Sequence, residues 1–410
     1  MSKKKPLELI KYEAQYVPRP CGLQNTGVLC YLNTMLQSLM SCPSFNKIIL
    51  DHKEYFEENR KGLCLEYINL LESAGISVSN TSLDDSFNIG NYNGSAILSE
   101  MVKARRGRKD SLLHGRQEDF HEGLTFLIEQ IGGRIKDLFS IRYKMEIQCR
   151  NEDCKNPVRS GPKEDPNFMF QLFEEDPILQ ESLTTKESIE NYIKRHINIP
   201  EDYKCESCHN ENKKVKGRVQ RNVLQIYSLA RLSEVIILVF NKYDHKRMKY
   251  FPQALDFKGV NGVLHYEVVS QIEHSGGRNG GHYWTKCRRP KPPGLVEHLQ
   301  TNTLDSIKKR MEPLATRKET WEKRKKEEAS KPKAEQNSRL LTKYDDRIST
   351  VDKQLREFKA QLRDIKNQIN GATSAGSDSI VFQINDSTVS MDTNGFVPTK
   401  NTYVVVYHLM

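Results

Sequence analysis

The apolar positions of this chain change period near residue 135. Before it they recur every three or four residues, and beyond it they alternate. "YLNTMLQSLMSC" places Leu32, Met35, Leu36 and Leu39 on one helical face, and "SFNKIILDHKEYFEENRKGLCLEYINLLESAG" continues helical to Gly75. Residues 76–94, rich in Asn, Ser, Asp and Gly, predict a loop. A short helix "SAILSEMVKAR" follows, then "GRQEDFHEGLTFLIEQIGG" with Phe120, Leu124, Leu127 and Ile128 on one face. After Gly133 strands take over: "FSIRYKMEIQC", "NFMFQLF", "VLQIYSL", "EVIILVFNKY", "LHYEVVSQIEH", and finally "SIVFQIND" and "TYVVVYHLM". Helices first and strands afterwards predict an α+β fold rather than βαβ units.

One segment, about 291–378, interrupts the strands. Leu341, Tyr344, Ile348, Val351, Leu355, Phe358, Leu362, Ile365 and Ile369 alternate spacings of three and four, the seam of a coiled coil. Gly371 is expected to stop that helix. Leu304, Ile307, Met311 and Leu314 begin a similar seam, which Pro313 is expected to break. A helical hairpin turning at "EEASKPKAEQ" fits, and self-association or a coiled-coil partner through 339–370 is the rival. The net charge of +10 belongs here: between Lys286 and Gly371, 23 basic residues face 13 acidic ones, a difference of +10. Such a run reads first as a solvated helix face, ahead of nucleic acid or membrane.

Composition narrows the setting. Apolar residues make up 37% of the 410-residue chain and charged residues 28%, so a core forms while part of the chain stays solvated. "MSKKKPLELIKYEAQY" has no apolar stretch of a secretory signal, and "VIILVF" suits a strand rather than a membrane span. The expectation is an intracellular protein, cytoplasmic or nuclear, with no membrane partner. In a reducing compartment nine cysteines serve as ligands, nucleophile or core rather than as disulfides.

Four of them form two close pairs, Cys149 and Cys154 in "CRNEDC" and Cys205 and Cys208 in "CESC". Two pairs of thiolates complete a closed, structural Zn²⁺ site, and their polar surroundings argue against a core. Cys30, in "GLQNTGVLCYLNT", stands between a polar turn and an apolar helix. It is either a small core hydrophobe or a nucleophile. A nucleophile needs a base, an oxyanion donor and a group that orients the base. A helix N-terminus lowers a thiol pKa. Asn25 can face the oxyanion, and His282 in "HSGGRNGGHYWTKCRR" can be the base. Asn385 or Asp386 in "FQINDSTVS" can be the orienting group. A surface histidine remains the bland reading of His282.

Together these residues resemble the ubiquitin-specific proteases, papain-like cysteine deubiquitinases. "GLQNTGVLCYLNTMLQSL" looks like their Cys box and "GGHYWTKCR" like their His box. "GRQEDFHEGLTFLIE", "LARLSEVIILVFNKY", "FQINDSTVS" and "NTYVVVYHLM" are similar to their intervening and closing segments, in the same order. Leu29, Thr34, Gly123 and "FNKY" depart from the usual residues, and none removes a catalytic group.

The resemblance implies a hand-shaped fold: a helical thumb (1–135), zinc-bearing fingers (136–235), and a β-rich palm (236–290 and 379–410) carrying a coiled-coil insertion (291–378). It implies Cys30 as nucleophile, His282 as base, Asn385 as orienting residue with Asp386 as runner-up, and Asn25 at the oxyanion. Asp119 and Glu122 would share a helix face toward the arginines of the ubiquitin tail, and Gly280 and Gly281 would line its channel. The reaction implied is hydrolysis after the C-terminal glycine of ubiquitin, with ubiquitin and ubiquitinated proteins as partners. The alternatives are a protease for another ubiquitin-like modifier, a weakly active ubiquitin-binding scaffold, and, with no motif behind it, a nucleic-acid binder.

Overall fold

A computed structural model describes residues 10–25, 27, 29–76, 90–105, 119–140, 142–149, 158–164, 170–172, 223–240, 251–259, 262–277, 280–292, 294–374 and 379–410. The chain opens with β1 (Gly22–Leu23) and the helices α1 (Cys30–Met40), α2 (Pro43–Asp51), α3 (Lys53–Glu58) and α4 (Gly62–Ser73). β2 (Asn91–Tyr92) pairs with β1 in parallel, and α5 (Ser95–Arg105), α6 (Phe120–Ile131) and α7 (Gly133–Phe139) follow. The strands are β3 (Arg142–Cys149), β4 (Val158–Glu164), β5 (Phe170–Leu172), β6 (Val223–Arg231), β7 (Val235–Phe240), β8 (Ala254–Gly259), β9 (Gly262–Gly277), β10 (Gly280–Pro290), β11 (Ser379–Asn385), β12 (Thr388–Met391) and β13 (Thr402–Leu409). The helices-then-strands order matches the change of period. Strands β4, β8 and β12 carry too few alternating apolar residues to show in the pattern.

β4, β3 and β6 form a small antiparallel sheet. The main sheet runs β12-β11-β10-β9-β13-β7-β5, with β8 paired to β9. Every pair in it is antiparallel except β5 with β7. "VIILVF" is strand β7, buried along its whole length.

α1 packs on β9 and β10 and is buried at all eleven positions. A helix buried all round must satisfy its polar side chains internally. Thr34 Oγ1 donates to the Tyr31 carbonyl (2.9 Å), Gln37 Nε2 to the Cys21 carbonyl (2.8 Å), and Ser38 Oγ bonds Ser270 Oγ on β9 (2.9 Å). Arg289 of β10 is fully buried against the same helix. Its Nη2 donates to the Gln37 carbonyl (2.9 Å) and to Gln37 Oε1 (2.8 Å), and its Nη1 to Ser41 Oγ. These bonds hold α1 and β10 in one register.

Between β10 and β11 the chain leaves the sheet through a helical turn (Leu295–His298), a π-helical turn (Leu299–Leu304), and two long helices, α8 (Asp305–Ala329) and α9 (Ser338–Ser374). They run antiparallel, as the cross-helix pairs Lys318–Asp352 and Lys325–Asp345 require. Two local expectations fail. Pro313 lies inside α8, on its exposed side, where water can satisfy the carbonyl that loses its partner. Gly371 lies inside α9 rather than after it. A Cβ there would stand 3.2 Å from Met391 Cε, and the next residue, Ala372, is buried against Ile380 and Phe382 of β11. Packing carries the helix past its glycine. No helix among the described residues is long and apolar enough to cross a membrane.

Candidate active site

Cys30 is the first residue of α1, and its side chain is 4% exposed. The loop before it is tied down by Asn25, whose Oδ1 accepts from the backbone N–H groups of Gly27 and Leu29 (both 3.1 Å). Gly27 has φ of 152°, within the range that favours glycine. Leu29 gives α1 no side-chain cap and instead buries in the helical core beside Cys21 and Cys30. The helix start was expected to lower the Cys30 pKa. Burial outweighs it and pushes the thiol up, and the nearby Asp386 carboxylate adds to that. Backbone N–H groups of Tyr283, Tyr31 and Cys30 work in the opposite direction. Tyr283 follows His282, so the sulfur lies against the histidine's strand.

His282 and Asn385 are 103 positions apart and meet at the same end of β10 and β11. His282 Nε2 is 2.6 Å from Asn385 Oδ1. An amide oxygen only accepts, so Nε2 carries the proton and Nδ1 keeps the free lone pair. The ring stacks on Trp284, with centroids 6.0 Å apart and planes at 22°.

The Asp386 carboxylate bonds Asn25 and Asn33. Asp386 occupies the two-residue turn between β11 and β12 with φ of 50°, a left-handed conformation that aspartate tolerates. Its Oδ2 accepts from Asn25 Nδ2 (3.0 Å), and its Oδ1 from Asn33 Nδ2 (2.8 Å). Its carbonyl accepts from Leu23 N–H (2.9 Å). β1 comes so close to this turn that a Cβ on Gly22 would stand 2.6 Å from the Ser387 carbonyl oxygen. Asn33 also reaches the carbonyls of Leu23 (3.3 Å) and Gln24 (3.4 Å). One carboxylate thus clamps α1, the Asn25 loop and the β11–β12 turn.

The expected substrate-binding residues are arranged differently from one another. Asp119 precedes the helical residues of α6, and Glu122 lies three positions on, in its first turn. Asp119 is the N-cap of α6, and its Oδ1 accepts from His121 N–H (2.8 Å). Its Oδ2 accepts from Tyr403 of β13 (2.8 Å) and, more distantly, from Tyr283 (3.4 Å). Glu122, in the first turn of α6, is exposed. Gly280 and Gly281 are exposed at the start of β10, and a Cβ on Gly281 would collide with the His274 ring. Of the expected zinc ligands, Cys149 ends β3, and Cys154, Cys205 and Cys208 lie outside the described residues.

Asn33 and Arg289 had not been singled out. Asn33 lies three residues beyond Cys30, hence on the same helix face, and that spacing is the signal that could have found it. Arg289 gives no such signal, because its partners lie some 250 positions upstream.

Residues 21–407 match the family described as ubiquitin carboxyl-terminal hydrolase. The chain is 26% identical over 292 residues to "Ubiquitin carboxyl-terminal hydrolase 36" of Drosophila grimshawi, covering 64% of this chain and 22% of that protein. It is 25% identical over 302 residues to "Ubiquitin carboxyl-terminal hydrolase 25" of Arabidopsis thaliana, covering 65% of this chain and 42% of that protein. It therefore spans less than half the length of either relative. Its fold is similar to the solved SAGA DUB module of Ubp8, Sgf11, Sus1 and Sgf73 bound to monoubiquitin, with a TM-score of 0.53, 15% identity, and coverage of 98% of this chain and 72% of that one. A second structure of that module, bound to ubiquitin aldehyde, matches with the same score. The order of the segments and the match across nearly the whole chain lead to one conclusion: this chain belongs to the ubiquitin carboxyl-terminal hydrolase family.

Proposed function

We propose that the chain is a thiol-dependent deubiquitinase that hydrolyses the bond after the C-terminal glycine of ubiquitin. The observation that carries this reading is the 2.6 Å pairing of His282 Nε2 with Asn385 Oδ1 at the strand that faces the Cys30 sulfur. With Nε2 protonated toward Asn385, His282 Nδ1 is the atom left to take the Cys30 proton. Burial favours the neutral thiol, so proton removal is coupled to attack. The sulfur adds to the glycine carbonyl carbon. The resulting oxyanion accepts from the Cys30 backbone N–H and from Asn25 Nδ2, whose second hydrogen is not taken by Asp386. Collapse expels the amine, which takes the proton from His282 and leaves a thioester on Cys30. Water then attacks the thioester while His282 takes its proton; the C–S bond breaks, the Cys30 sulfur recovers that proton from His282, and ubiquitin leaves with a free C-terminal carboxyl group, which ionises in water.

In this reading Asn385 orients the imidazole and Asp386 positions Asn25. Glu122 is the carboxylate free to meet the arginines of the ubiquitin tail, while Asp119 mainly holds α6 to Tyr283 and Tyr403. Gly280 and Gly281 line the channel for the tail. The hand-like division and the coiled-coil character of the insertion belong to the same reading. So does structural zinc on Cys149, Cys154, Cys205 and Cys208, a thiolate set suited to Zn²⁺. One zinc per chain, lost in Cys205→Ser/Cys208→Ser, would bear this out. An intracellular setting agrees with the free thiols of Cys21, Cys30, Cys42, Cys64 and Cys287.

A ubiquitin vinylsulfone probe tests the central claim. Wild type should be labelled and Cys30→Ala should not. Unlabelled wild type, or labelled Cys30→Ala, would refute it. Preference for a probe built on another modifier would move the substrate without changing the chemistry.

A further inference from the structure

The two long edges of the insertion hairpin differ in charge. On one edge Lys318 reaches Asp352 (2.8 Å) and Glu322 (3.4 Å), and Lys325 reaches Asp345 (2.5 Å). Acid and base are matched there. The other edge carries arginines. Arg310, Arg317 and Arg324 follow one another at seven-residue spacing on α8, which keeps them in one row. Arg310 lies over the Phe358 ring (4.9 Å to the centroid), and Arg347 of α9 lies over the Trp321 ring (5.4 Å). Trp321 is one turn before Arg324, so Arg347 and Arg324 share this edge. The row of Arg347 continues at the same spacing through Gln354 and Gln361, neither of which is acidic.

All four arginines are exposed, and among the described residues none forms an ion pair. No acid stands three or four residues away from Arg310, Arg317 or Arg347 along its own helix. Arg324 has Glu327 and Glu328 within that range. Glu328 already accepts from Lys331 (2.6 Å) and from the Asn337 N–H (2.9 Å). The hairpin thus carries a cationic row about 21 Å long on α8, at 1.5 Å per residue, with no counter-row of its own. Trp321 and Phe358 lie half-buried beneath it. Arginine over aromatic rings is the composition of binding hot spots.

We propose that this edge docks an acidic amphipathic helix of another protein, laid along the hairpin as a third helix. Its carboxylates, repeating every seven residues, would each meet one arginine fork. Its apolar face would cover Trp321 and Phe358. A second copy of this chain would set arginine against arginine. A nucleic-acid duplex fits less well, because the row is one side chain wide and is bordered by Glu327, Glu357 and Asp364. The proposal stands apart from the chemistry at Cys30.

The test uses the full chain and a labelled four-heptad peptide with leucine at the seam and glutamate beside it. Its controls are a scrambled peptide of the same composition, the same helix with lysine for glutamate, and a short RNA duplex. The acidic helix should bind in a salt-sensitive manner. Affinity should fall by about tenfold or more in Arg310→Gln/Arg317→Gln/Arg347→Gln, the scale of one lost hot-spot contact. Lys318→Gln/Lys325→Gln, on the opposite edge, should keep it. Far-ultraviolet circular dichroism and turnover of a fluorogenic ubiquitin substrate should stay within about twofold of wild type in both variants, since the edge lies outside the catalytic cluster. The proposal is overturned if the scrambled peptide binds equally, if the arginine variant retains affinity, if the lysine variant loses as much, or if the RNA duplex displaces the helix.

Discussion

Helices α1 and α9 are built on opposite terms. All eleven residues of α1 are buried, polar ones included; Gln37 and Ser38 bond the loop and strand around it, and Thr34 bonds back onto the helix's own carbonyls. α9 has 37 residues, of which Val351, Leu355 and Ala372 are buried. It is held by a one-sided seam, by ion pairs at its rim, and by arginines over rings. A helix that must place a sulfur has no freedom left. A helix that offers a surface keeps most of its side chains in water. The same arithmetic of burial therefore makes changes in α1 expensive and changes in α9 cheap.

The strongest way to break this contrast is at the clamp on α1. Asp386→Ala releases Asn25 and Asn33 together and should lower kcat/KM on the order of 10²-fold or more, the usual effect of losing an oxyanion donor. Asn385→Ala, which removes one uncharged partner of His282, should cost less. If Asp386→Ala keeps wild-type kcat/KM, the clamp does not position Asn25. Next come the cores. Leu36→Ala, in the buried face of α1, should cost about 3 kcal/mol in chemical denaturation, and Ile348→Ala, in the half-exposed seam of α9, about 1 kcal/mol. Equal losses would erase the distinction.

His408 sharpens it with pH. Its ring is fully buried on β13, 2.8 Å from Ser44 Oγ at the start of α2, and burial lowers its pKa from 6.5 to about 4. The folded state resists a proton that the unfolded chain takes up. The contribution to stability is therefore whole above pH 6.5 and is lost as pH falls toward 4. The full span is worth about 3 kcal/mol at 1.36 kcal/mol per pKa unit. The gap in unfolding free energy between wild type and His408→Gln should narrow over that window, and a constant gap would exclude the effect. The smallest effect belongs to the rim of the hairpin. Asp352→Asn, which removes the partner of Lys318, should leave the unfolding midpoint where it is, because exposed pairs contribute little.

What could be read from the chain follows the range of the interactions. The change from helical to strand period, the start of α1 at Cys30 and the strand carrying Ile380, Phe382 and Ile384 depend on near neighbours, and all were legible. Asn385 was legible as the orienting residue, with Asp386 kept as runner-up. Only the turn, with Asp386 at φ of 50° and its carboxylate on residues 353 and 361 positions away, separates them. Pro313 and Gly371 show the reverse failure. Local rules for ending a helix were applied where seam packing and the contact with Met391 override them. The Cys30 thiol is a third case. The helix start is visible in sequence, whereas the burial that outweighs it is a property of the whole fold.

The last residue of β10 and the first of β11, Pro290 and Ser379, are paired directly across the ladder. The insertion therefore leaves and re-enters the sheet at one point, and its two helices zip against each other from a single turn. Kinetically this matters. Joining His282 to Asn385 through an unstructured chain would carry the closure entropy of a loop about a hundred residues long, (3/2)RT ln n. A hairpin that forms first brings its own ends together, so the ladder closes as though across a short turn. Joining of His282 to Asn385 should be paced by the hairpin. Replacing residues 291–378 with a tight turn should speed β10–β11 pairing only slightly, whereas helix-breaking prolines in α9 should slow it.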